Sequence, residues 1–89
     1  METISIKINE ILQKIRYTKL VYERINKKLN TKFSKEQIEE LILDIIKKTE
    51  ANFIAKKGKN YYLTNIEYNI RITINSTTFS IITVDRIHK

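Results

Sequence analysis

The hydrophobic pattern of this chain changes its period once, after Glu50, and no other feature constrains the fold as strongly. Before Glu50, isoleucine and leucine recur at offsets of three and four, which is the spacing of one helical face. After Glu50, apolar and polar residues alternate, most regularly over 68–75, as in a strand with one buried side. The pattern therefore predicts an α+β fold in which two to three N-terminal helices pack on one face of a C-terminal four-stranded antiparallel sheet made of two hairpins.

The length of 89 residues predicts a single domain, 1–89, with a helical part at about 4–49 and a sheet part at about 53–87. We expect helices at 4–15 and 19–29, with Thr18 as the N-cap of the second, although the alternation of Ile4, Ile6 and Ile8 also suits a short strand. Ser34 and Gln37 have the spacing of a capping box, which predicts that a third helix begins there.

Two hairpins account for the second half of the chain. The runs 53–57 and 61–64 flank Gly58-Lys59, which predicts a type II′ turn with Lys56 opposite Tyr61 and Ile54 opposite Leu63. The runs 68–75 and 78–86 join through turn residues at 75–77. Two registers are open there: one pairs Ile74 with Phe79 and Ile72 with Ile81, and the other pairs Ile72 with Phe79 and Ile70 with Ile81.

Both registers of the second hairpin give the same two faces. One face is predicted to pack on the helices, and its residues are Tyr68, Ile70, Ile72, Ile74, Phe79 and Ile81. The other is predicted to point away from the helices, and its residues are Asn69, Arg71, Thr73, Ser80, Ile82, Val84 and Arg86. A helix-backed antiparallel sheet with one uncovered face is a common platform for RNA or for another protein.

The charge is +7, from 17 lysines and arginines against 10 acids. Residues 1–30 carry seven bases and three acids, residues 31–50 four and five, and residues 51–89 six and two, so the positive field lies in the two outer segments. Such a surface attracts phosphates and acidic proteins. A lysine-, isoleucine- and asparagine-rich composition is also what an AT-rich genome produces, and this explains part of the lysine excess.

Arg71 is the most informative single residue, because an arginine in the centre of a strand is costly to bury and useful when exposed. The bland alternative is an outward charge that only keeps the sheet soluble. We predict a binding surface whose residues are Lys56, Lys57, Lys59, Tyr61, Arg71 and Arg86. Ile82 and Val84 on the same face make a homodimer through that face a further option.

Several classes of function find no support in the residues. The chain has no cysteine, so thiolate metal sites and disulfides are excluded, and we expect a cytoplasmic protein. No apolar run is long enough to cross a membrane, and no motif indicates a metal, a nucleotide cofactor or another small-molecule cofactor. His88 is the only histidine, so a serine–histidine–acid triad is not expected.

The segments 57–62 (KGKNYY), 70–75 (IRITIN) and 81–83 (IIT), preceded by Tyr17-Thr18 and Arg24-Ile25, resemble a small bacterial family known only as a domain of unknown function. The likeness covers about residues 16–87, supports helices followed by hairpins, and implies no activity. The order of elements is also similar to that of barnase, colicin-type and RelE-type ribonucleases. This weaker likeness implies a catalytic set of Arg71, Arg86, Lys57, Thr83 and His88 on the sheet face.

Two functions are therefore predicted. The first is a non-enzymatic basic module that docks on RNA or on a nucleoprotein machine, for example as an anti-CRISPR-like inhibitor of a bacterial defence nuclease. The alternative is a metal-independent endoribonuclease of toxin type. The first is favoured, because no side chain has the pattern of a tuned general acid or base.

Overall fold

The structure is a computed structural model that describes residues 2–87, with side chains described for 8–50 and 52–87. The helices are α1 (Glu2–Lys14), α2 (Val21–Leu29) and α3 (Lys35–Lys47), followed by a 3-10 turn at Ala51–Phe53. The strands are β1 (Ile54–Lys57), β2 (Asn60–Asn65), β3 (Ile70–Asn75) and β4 (Ile81–Arg86). They form one antiparallel sheet in the order β1-β2-β3-β4, so the predicted α+β arrangement is confirmed.

Local sequence signals account for the start of α3 but not for the start of α2. In α3 the capping box is present, since the Gln37 backbone N–H donates to Ser34 Oγ at 3.1 Å and the Ser34 N–H donates to Gln37 Oε1 at 2.9 Å. The predicted N-cap at Thr18 is wrong, because α2 begins after Leu20, which makes no side-chain cap. The side chains of Ile4 and Ile6 lie outside the described residues, although the backbone there is helical.

The chain between α1 and α2 is extended because it pairs with the sheet. Arg16 forms a parallel bridge with Ser80, in which the Arg16 N–H donates to the Phe79 carbonyl at 2.9 Å and the Ile81 N–H donates to the Arg16 carbonyl at 3.0 Å. These bonds compete with helical ones over 15–18, which is the physical reason why the second helix starts later than the pattern predicts.

The core lies between the helices and one face of the sheet. Its members are almost all aliphatic: Ile11, Val21, Ile25, Leu29, Ile38, Ile42, Ile45, Ile46, Leu63, Ile70, Ile72, Ile74, Ile81 and Val84, with Tyr61 and Phe79 at their edge. Burial of this apolar surface is what drives the helices onto the sheet. Within residues 2–87, no helix has the length and apolarity that a membrane span requires.

The first hairpin is as predicted, with Ile54 opposite Leu63 and Lys56 opposite Tyr61. Gly58 has φ of +58° and Lys59 does not have a positive φ, which is the sign pattern of a type II′ turn.

Both predicted registers of the second hairpin are wrong. Ile74 pairs with Ile81 and Ile72 pairs with Val84, with a β-bulge between these pairs at Ile82. The turn is longer than expected because Phe79 adopts a left-handed conformation, φ +61°, before the strand begins. The extra residue at Ile82 inverts the alternation of β4. Val84 and Arg86, predicted to point away from the helices, are therefore on the helix side, and Val84 is fully buried.

Candidate functional site

One face of the sheet is turned away from the helices, and we call it the open face. Its residues, read from the strand registers and burial, are Ala55 and Lys57 on β1, Asn60, Tyr62 and Thr64 on β2, Arg71, Thr73 and Asn75 on β3, and Thr83 and Asp85 on β4. Side chains on this face stand in rows across the strands. The row Thr64–Arg71–Asp85 lies beside the row Ala55–Tyr62–Thr73–Thr83.

The open face contains a groove of about 360 Å³ over β1, β2 and β3. Two aromatic and two cationic side chains line it, together with small ones: Phe53, Tyr62, Lys57, Arg71, Ala55 and Thr64. Phe53 is 39% exposed although it is a large apolar residue. The groove therefore offers flat apolar surface within reach of positive charge, an arrangement that accepts planar anionic ligands.

Arg71 is exposed, and its only described polar contact is weak. Its Nε donates to Thr64 Oγ1 at 3.4 Å, and among the described residues the guanidinium forms no ion pair. Asp85 lies directly opposite Arg71 in the ladder, but its Oδ1 is 3.0 Å from Lys28 Nζ on α2. Arg71 thus remains a cation with free donors at the edge of the groove.

The groove brings together two of the six predicted binding residues, Lys57 and Arg71. Lys56 shares the helix side of β1 with Ile54 but is exposed near the end of the strand, and Lys59 is exposed in the turn. These two lysines therefore add to the field around the hairpin without lining the groove.

Tyr61 and Arg86 are not on the open face. Tyr61 is 7% exposed and belongs to the core, with its ring centroid 6.2 Å from that of Phe79. The Arg86 guanidinium donates to the Leu29 carbonyl at 2.8 Å, at the C-terminal end of α2, where the helix dipole favours a cation. The predicted position of Arg86 on the open face is wrong because of the bulge, and the strand position of Tyr61 faces inward. Their roles in binding stay predictions.

The described members of the catalytic set implied by the ribonuclease resemblance lie at different places on the sheet. Thr83 is on the open face, but its Oγ1 is buried without a hydrogen-bond partner among the described residues. The Arg86 guanidinium bonds the Leu29 carbonyl at the end of α2, and His88 lies outside the described residues. Of the four described members of that set, Lys57 and Arg71 share the groove.

Four of the six groove residues are not among the predicted binding residues, and two of these four are the aromatic ones, Tyr62 and Phe53. For Tyr62 the signal was present, because the confirmed pairing of Ile54 with Leu63 turns Tyr61 inward and its neighbour outward. Phe53 precedes β1 in a 3-10 turn, and no strand alternation indicates its direction.

The two most strongly perturbed titratable groups, Tyr22 on α2 and Tyr17 in the connection before it, do not line the groove. Burial, followed by a 2.6 Å hydrogen bond to Glu39, raises the pKa of Tyr22 to about 12. Burial likewise raises the pKa of Tyr17, whose ring stacks on Tyr22 at 5.6 Å between centroids. The Tyr17 hydroxyl is buried without a partner among the described residues. These contacts join α2 to α3 and have a structural role.

A second cluster joins α3 to the loop before β3. The Tyr68 hydroxyl donates to Asp44, which lowers the pKa of Asp44 and raises that of Tyr68, and Lys48 lies 3.3 Å from the same carboxylate. Two of the α3 carboxylates, Glu39 and Asp44, therefore have partners. Within residues 2–87, no group of three or more acidic or histidine side chains is placed to hold a metal ion.

Comparison with known proteins gives a family but no activity. The sequence model of a family described as "Protein of unknown function (DUF3781)" matches residues 9–85. No curated protein and no solved structure matches the chain, so the resemblance to the ribonuclease fold has no support from solved structures.

Proposed function

We propose, for a chain that belongs to the DUF3781 family of proteins of unknown function, that the open face binds single-stranded RNA without cleaving it. One observation carries this proposal: the groove places Phe53 and Tyr62 beside Lys57 and Arg71. Single-strand binding proteins combine such cations, which meet phosphates, with aromatic rings on which bases stack.

The geometry favours unpaired bases over a duplex. In a duplex the faces of the bases are covered by their neighbours, so a ring on a protein surface has nothing to stack on. Tyr62 is half-buried and lies between Ala55 and Thr73 in the ladder, so its cross-strand neighbours are small side chains. The net charge of +7 adds a field that attracts any polyanion, and this term is expected to be salt-dependent.

The endoribonuclease alternative has less support. Lys57, Arg71 and Thr83 are on the open face, but the one carboxylate among its residues, Asp85, is engaged by Lys28. A metal-independent mechanism requires a general base within reach of the nucleophile. Cleavage of the bound RNA in the presence of a chelator would favour this alternative.

Docking on a nucleoprotein machine, including inhibition of a defence nuclease, would use the same cations and is a variant of this proposal. A homodimer through the open face is disfavoured, because a two-fold interface uses the same patch of both copies and would gather the cations Lys57 and Arg71 of both in one interface. Such a dimer would be identified by a sedimentation coefficient that rises with protein concentration, if the R71E substitution weakens or strengthens that dependence.

The test is fluorescence anisotropy with a labelled, unstructured RNA of about 12 nucleotides, a length within the range of single-strand sites. R71Q removes one of the two groove cations, and K47Q is the matched control, since Lys47 is exposed on α3 in the helix layer. We expect R71Q to raise Kd about tenfold and to reduce the slope of log K against log salt by about 0.7, one phosphate contact. K47Q should change Kd by less than about twofold.

Tyr62 is tested by a conservative pair. Y62L removes the ring and should raise Kd by roughly 5- to 100-fold, whereas Y62F keeps the ring and should bind nearly as wild type. DNA of the same sequence separates a need for the 2′-hydroxyl from general single-strand binding. The proposal would be refuted if the wild-type protein did not bind the RNA at low salt. It would also be refuted if R71Q and Y62L changed Kd no more than K47Q does.

A further inference from the structure

We infer that Lys28 is a positioning residue, which holds Asp85 in an ion pair and so keeps Arg71 available to an anionic ligand. The effect of Lys28 on RNA affinity rests on the proposed RNA binding. Whether Asp85 pairs with Arg71 once Lys28 is removed can be observed in the free protein.

The inference starts from two oppositely charged side chains that face each other and do not pair. Arg71 and Asp85 are directly opposite in the β3–β4 ladder, and side chains in such positions are close enough to interact. Asp85 Oδ1 is instead 3.0 Å from Lys28 Nζ, while Arg71 Nε contacts Thr64 on the other side. Among the described residues, no ion pair within 4.0 Å joins Arg71 to Asp85.

Lys28 is well placed for this role because α2 is attached to β4 at two points. Arg24 Nη1 donates to the Ile82 carbonyl at 3.0 Å, and Arg86 Nη2 donates to the Leu29 carbonyl at 2.8 Å. These bonds fix the helix along β4, and they keep Lys28 Nζ within 3.0 Å of Asp85 Oδ1. The bulge at Ile82 completes the arrangement, since it places Asp85 on the open face.

Removal of Lys28 leaves Arg71 as the facing cation for Asp85. An RNA phosphate then competes with the Asp85 carboxylate for the Arg71 guanidinium. RNA binding is therefore weakened by the free energy of one exposed ion pair. We expect K28Q to raise Kd about twofold to fivefold more than a variant that loses one charge elsewhere on the same helix.

The matched control is K27Q, because Lys27 is the preceding residue of α2, is exposed and forms no ion pair among the described residues. Both variants are measured by anisotropy with the same RNA, with and without D85N. In the D85N background, K28Q should raise Kd no more than K27Q does. Equal losses in K27Q and K28Q would overturn the inference, as would an excess that persists with D85N, because Lys28 would then contact the RNA itself.

A ligand-free measurement separates this inference from the proposed function. The Arg71 Nε–H resonance should be insensitive to D85N when Lys28 is present and should move when Lys28 is replaced by Gln. An equal response in both backgrounds would contradict the inference even if RNA binds. If wild-type protein fails to bind RNA while the resonance behaves as expected, the positioning role stands and the proposed function falls.

Discussion

Substitution of Val84 by Thr tests the inverted alternation of β4. With the bulge, Val84 is fully buried, so V84T places a hydroxyl in a core whose other members are almost all aliphatic. The desolvation of an unpaired hydroxyl costs about 1–3 kcal/mol. A regular strand would instead expose residue 84 on the open face, where the same change would be close to neutral.

T83V is the matched reciprocal change. Thr83 Oγ1 is buried without a described partner, so its replacement by a methyl group should leave the free energy of unfolding unchanged or raise it by up to about 1 kcal/mol. Urea unfolding measures both variants. With an m-value of about 1 kcal/mol/M, V84T should lower the midpoint by roughly 1–3 M at unchanged m. A neutral V84T together with a destabilising T83V would refute the bulge and restore the regular alternation.

Three further predictions concern other parts of the fold. N65A should lower the free energy of unfolding by about 2–4 kcal/mol, because the buried Asn65 amide bonds the Ile45 carbonyl and two other groups, and thermal unfolding would measure this. The pKa of Tyr22 is raised, so the contribution of this hydroxyl to the free energy of unfolding is present below pH 10 and is lost as pH rises towards 12. The difference in free energy of unfolding between wild type and Y22F, measured by urea titration, should therefore shrink over that pH range. A constant difference would contradict this prediction. G58A should cost about 1 kcal/mol, since φ at Gly58 is +58°, and an unchanged melting temperature would argue against the left-handed turn.

The helices and the first hairpin were predictable because their signals are local. The capping box at Ser34 and Gln37 uses only neighbouring backbone groups, and the turn at Gly58 needs only one residue that tolerates a positive φ. The outward direction of Arg71 was predictable for a related reason, since apolar and polar residues alternate without interruption along the sequence of β3.

The failures share a different cause. Arg86 and Val84 were placed on the wrong face because a bulge without glycine or proline leaves no mark in the sequence. Thr18 does not cap α2 because the neighbouring residues pair with Ser80, more than sixty positions away. Tyr62 could have been preferred to Tyr61 from the first hairpin alone, whereas the outward position of Phe53 could not.

By itself, the sequence determined the two periodicities, the excess of positive charge and the exposure of Arg71, because each depends on residues a few positions apart. The tertiary structure decided which side of β4 faces the helices, where α2 lies against that strand, and which cation holds Asp85. Those outcomes depend on how distant segments fill a common core and satisfy each other's backbone groups, and no local pattern contains that information.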